Sequence, residues 1–188
     1  NGNNATAGSM ETYDEESGEM VTLVHEDLIM NDLVNLYAPN YKKTGYGFVG
    51  WSLDENAWDD FTDNDSSNDP IIYGPNQTFA MTKDIALEIA EGGENGELFA
   101  VWAPAKKDGG DTVYLQNWHG CNELTATIYD SENNALNVNK NSIVALTDER
   151  DNNVYTIARL SDGNCWMVEN MRLDSGAELS STNTNNPS

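Results

Sequence analysis

Carboxylates crowd one short stretch of this chain. Asp59, Asp60, Asp63, Asp65 and Asp69 fall within eleven residues, in the segment DENAWDDFTDNDSSNDP. Like charges this close repel one another unless a cation intervenes. Calcium favours several oxygen ligands, and D-x-D-x-S could supply them. The EF-hand pattern is nevertheless incomplete, because no Gly stands at its turn position and no Glu closes the loop. The expectation is a solvated acidic loop whose calcium affinity is near the millimolar range of extracellular modules. No other cofactor is implied.

The nucleophile-bearing residues are few. His25 and His119 lie far apart, and neither is spaced to activate a Ser. Cys121 follows His119 closely enough to suggest a thiolate nucleophile, but a disulfide would quench it. Both cysteines sit beside a turn and a Trp, in Trp118-His119-Gly120-Cys121 and Gly163-Asn164-Cys165-Trp166. A Cys121–Cys165 bridge is therefore expected, against the alternative of two buried thiols. In the chain-entropy account such a bridge stabilises by about 4 kcal/mol, less any strain. Two cysteines and two distant histidines offer no zinc spacing. Carboxylates are too abundant for any pair to single out a glycan hydrolase, which ranks third among the readings.

Aromatics carry the remaining chemistry. Tyr46, Trp51, Trp58 and Trp102 could form a sugar-stacking platform, but alternating aromatics in strands are more often core. Tyr46, Phe48, Trp51, Trp102 and Trp166 are accordingly expected as structural core. A net charge of −23 repels phosphate backbones and anionic lipid, so nucleic acid is excluded as a partner. No apolar run approaches the length needed to cross a bilayer, so no membrane insertion is expected in this chain.

The elements that would position these residues are mostly strands. Residues 19–24 and 34–37 read as short strands, and 46–51 as a tightly covered one with Tyr46, Phe48 and Gly50 facing one way. Thr82 is placed to cap a helix over 83–91, which Gly92-Gly93 ends. Residues 98–102 form a buried strand before Pro104. The polar, glycine-bearing segment 105–112 reads as a linker, after which 113–118, 124–129 and 142–146 are strand candidates. The runs 154–160 and 165–168 flank Asp162-Gly163, a strong hairpin signal. Residues 177–188 form a Ser/Thr/Asn tail expected to be disordered.

Two resemblances emerge from this order. Gly45, Tyr46, Phe48, Gly50 and Trp51, followed by Leu98, Ala100 and Trp102, resemble the Listeria–Bacteroides repeat, the B-repeat of internalin B. That likeness covers 1–104 and implies a β-grasp-like spacer or adhesive module whose first strand precedes Asn1. The series D-x-x-N-V-Y-T-I-A-R-L…G-N-C-W-M-V-E-N-M-R-L resembles the opening of the Fibrobacter succinogenes major paralogous domain. It covers 113–176 and implies a bacterial surface or secreted setting, with the chain a fragment of something longer. The fold expected is mainly β (α+β), with a β-grasp-like module followed by a second small β-rich one. The function expected is non-enzymatic: display, spacing or adhesion to a host or neighbouring-cell surface protein or glycan. A carbohydrate-binding module with exposed aromatics is the alternative.

Overall fold

The computed structural model describes residues 1–14, 17–22, 28–36, 41–60, 72–74, 78–90, 96–126 and 140–168. Its elements, in chain order, are β1 (Glu11–Asp14), β2 (Glu19–Thr22), β3 (Leu33–Asn35), β4 (Tyr46–Ser52), β5 (Thr78–Ala80) and the helix α1 (Lys83–Ala90). There follow β6 (Phe99–Pro104), β7 (Lys107–Asp108), β8 (Asp111–Thr112), β9 (Ile143–Thr147), β10 (Val154–Arg159) and β11 (Cys165–Met167). The described chain is thus mainly β. All named strand pairs are antiparallel: β1–β2, β3–β5, β4–β6, β7–β8 and the three-stranded β11–β10–β9.

The β4–β6 pair is the centre of the molecule, because both its faces are buried. On one face Phe48, Trp51, Ala100 and Trp102 pack with Val34, Leu36 and Met81, and Ile85 and Ala86 of α1 close over them. On the other, Val49, Val101 and Ala103 meet Ile143, Ala145, Val154 and Ala158 of β9 and β10. Close approach between these layers depends on Gly47, where a Cβ would lie 2.5 Å from Thr156 Oγ1. α1 begins as the sequence suggests, with Thr82 Oγ1 accepting from Ile85 N at 3.2 Å.

Strict alternation along β4 fails at one residue. The register pairs Phe48 with Trp102 and then Gly50 with Val101, so Val49 is the extra residue of a bulge. Beyond it the faces exchange. Trp51 returns to the side of Phe48, with ring centroids 5.3 Å apart in an edge-to-face arrangement, and Phe48 meets Trp102 similarly at 5.6 Å.

Residues 105–112 are a hairpin, where a linker was expected. Gly109 and Gly110 both adopt positive φ, which suits a two-residue turn that bulky side chains would strain. The chain also continues the β structure across this segment: Ala105 N donates to Gly45 O, and Lys106 N donates to Ala145 O at 2.8 Å. The apolar core formed by β4, β6, β9 and β10 therefore spans both sides of the expected module boundary. The alternation of 113–118 does not give a strand either. Tyr114 makes a single parallel bridge to Thr147, and Leu115–Asn117 is a 3-10 turn. The expected tail at 177–188 and residues 127–129 of the 124–129 strand candidate lie outside the described residues; 124–126 form no strand.

Candidate functional site

The hairpin that carries Cys165 is built as its sequence implies. Gly163 takes the left-handed conformation and donates to Leu160 O, while Leu160 N donates to Asn164 O. Asp162 organises the turn. Its carboxylate accepts from Asn164 N at 2.9 Å and from Trp166 Nε1 at 3.1 Å. These donors hold the Asp162 carboxyl below its ordinary pKa, the Asn164 backbone N–H contributing most.

Cys121 and Cys165 are joined in a disulfide, with Cα atoms 5.8 Å apart. The bridge fastens the 3-10 turn Gly120–Glu123 to β11. Arg159 reinforces the junction, donating from Nη1 to Leu124 O at 2.7 Å and from Nε to Gly163 O. No thiol is free among the described residues.

Two expected core residues prove to be exposed. Trp166, on β11, is 53% accessible and turns its Nε1 to the Asp162 carboxylate in the adjacent turn. Tyr46, the first residue of β4, is 37% accessible and carries the Lys43 ammonium 4.6 Å above its ring. Phe48, Trp51 and Trp102 are buried as expected.

Of the acidic loop, Asp59 and Asp60 lie in the turn after β4; Asp63, Asp65 and Asp69 lie outside the described residues. Partial desolvation, then the nearby Asp54 and Asp59 carboxylates, raise the Asp60 carboxyl above its ordinary pKa. Among the described residues, no three potential ligands converge on a metal position. His119 is exposed, and His25 lies outside the described residues.

A groove of about 370 Å³ opens where four segments meet. Asn3 and Asn4 come from the first residues, Lys43 and Tyr46 from the start of β4, and Val101, Trp102 and Pro104 from β6. The turn at 55–59 closes it with Glu55, Asn56, Trp58 and Asp59. Asn3 Nδ2 donates to Glu55 O at 2.7 Å, which ties the first segment to that turn. Trp102 Nε1 donates to Gly2 O at 3.1 Å and anchors the same segment to β6. Lys140 braces the far side, its ammonium donating to Trp58 O and lying 5.2 Å over the Trp58 ring. Of the proposed sugar-stacking aromatics, the structure brings Tyr46, Trp58 and Trp102 to the groove; Trp51 is packed in the core.

The turn between β9 and β10 holds a buried ionic network that sequence reasoning passed over. Asp148 is fully buried and accepts from Arg150 N, Nε and Nη2, the last at 2.5 Å. Gln116 Nε2 donates to it at 2.6 Å. Burial alone would raise this carboxyl, but the Arg150 and Gln116 hydrogen bonds outweigh it and hold the pKa below its ordinary value. The readable signal was Asp-x-Arg before Asn152, which takes positive φ in the turn. This network accounts for the placement of the 3-10 turn at Leu115–Asn117, which brings Gln116 over Asp148.

No family model, curated protein or solved structure matches this chain. Among the described residues, no helix is long and apolar enough to cross a membrane.

Proposed function

We propose that this chain is a non-catalytic module of a bacterial secreted or cell-surface protein, acting in display, spacing or adhesion. The observation that carries the reading is the Cys121–Cys165 disulfide, since such bridges persist in oxidising compartments. It crosses from a 3-10 turn to an edge strand and closes a 44-residue separation. The two sequence resemblances supply the bacterial surface setting. A helix closing over one face of the β4–β6 pair is what a β-grasp-like first module would require, and supports that finer assignment.

The test is intact-mass measurement after alkylation, without reductant, on protein isolated from its native source. The expected result is no alkylated thiol. Reduction should then lower stability by about 4 kcal/mol, the loop-entropy figure for a bridge of this length. Two alkylated thiols in the native protein would overturn the extracellular reading.

A further inference from the structure

The groove between the first residues, β4, β6 and the 55–59 turn has a lining that selects its ligand by chemistry. Its volume, about 370 Å³, is near the lower end of small-molecule sites, which run to about 1,000 Å³. An anion would meet Glu55 and Asp59, in a chain of net charge −23. A cation would be repelled by the Lys43 ammonium in the lining and by the Lys140 ammonium beside Trp58. A purely apolar ligand would bury the amides of Asn3, Asn4 and Asn56 and two carboxylates without replacing their water.

A neutral polyhydroxylated ring meets none of these objections. Its hydroxyls can donate to the Glu55 and Asp59 carboxylates and accept from Lys43 and the asparagine amides. Its apolar C–H face fits the parts of Tyr46 and Trp58 that line the groove. Neither Asn4 nor Asn56 spends its side-chain amide on another group among the described residues. The segment that carries Asn4 is tied to the 55–59 turn, because Asn3 Nδ2 donates to Glu55 O.

We infer that this groove is a binding site for a neutral saccharide, of about one or two rings. The inference rests on the adhesion reading and deepens it by naming the ligand class. Tyr46 and Trp58 supply the stacking surface, and Asn4, Asn56, Glu55 and Asp59 supply the hydrogen bonds.

The test is calorimetric titration of the full chain with glucose, galactose, mannose and N-acetylglucosamine, and with short oligomers of each. Glucuronic acid and glucosamine serve as anionic and cationic controls. Asn4→Gly suits the positive φ, so it removes the amide while leaving the backbone unstrained. Asn56→Ala and Tyr46→Ala alter exposed side chains. Each variant is expected to keep its melting temperature within a few degrees and to bind a neutral sugar at least tenfold more weakly. Absence of binding to every neutral sugar, preference for either charged control, or binding indifferent to all three variants would overturn the inference. Loss of the inference alone would leave a disulfide-bonded display module; free native thiols would instead remove the extracellular reading.

Discussion

Replacing Gly47 with Ala probes the contact on which the packing of the central strand pair against β9–β10 depends. The added Cβ would lie 2.5 Å from Thr156 Oγ1 and 3.2 Å from both Thr156 N and the Ala145 Cβ. Favourable carbon contacts need about 3.5 Å or more. Thr156 is fully buried between Tyr155 and Ile157, both also buried, so β10 has little room to withdraw. Overpacking of this kind costs about 1–3 kcal/mol. Alanine offsets about 0.4–1 kcal/mol of that by restricting the unfolded chain. The expected net loss is about 1–2 kcal/mol. In urea, with a slope of about 2 kcal/mol per molar, the midpoint should fall by about 0.5–1 M. Tryptophan fluorescence reports on both faces of the central pair, through Trp51 and Trp102 on one and Trp58 on the other, and far-ultraviolet circular dichroism on all strands; both should shift together. A cycle with Thr156→Ala should show coupling of about 0.5 kcal/mol or more, since that change removes the nearest atom. An unchanged midpoint, or a shift seen by only one probe, would refute direct packing of β4 on β10.

Trp51→Ala should cost about 3–5 kcal/mol, because it empties a buried site beside Phe48 in the aromatic cluster. Trp166→Ala should cost less than about 1 kcal/mol, since its ring is mostly solvated; thermal melts of the two variants check the contrast. The depressed pKa of Asp148 means that its stabilisation is present above the unfolded carboxylate value, about 3.9. It is lost as pH falls through the lower folded value. Asp148→Asn should therefore flatten the acid limb of the stability curve measured by melts between about pH 2 and 7. Asp162, shifted the same way, should leave part of that limb in place, while Asp60, shifted upward, acts in the opposite sense.

Local chemistry determined a good deal without help from the rest of the chain. Asp162-Gly163 specifies its turn because the side-chain acceptor and the left-handed residue are neighbours. Thr82 specifies the start of α1 because its hydroxyl reaches an N–H only three residues on. The strands β4, β6, β9 and β10 were legible as short apolar runs, and the cysteine pairing from their matching surroundings. Which way those strands face was a different matter. The bulge at Val49 exchanges the two sides of β4, and it exists because Phe48 and Trp51 both find the same aromatic cluster. Trp166 is exposed although its cross-strand partner Ala158 is buried, a difference that only the folded surface decides. The 113–118 alternation lost to the pull of Gln116 toward Asp148, a partner 32 positions away. The groove assembles from residues as distant as Asn3 and Pro104, which no local pattern along the chain brings together. Hydrogen bonds and turns act over a few residues and can be read along the chain; burial and clefts are properties of surfaces that only folding brings together.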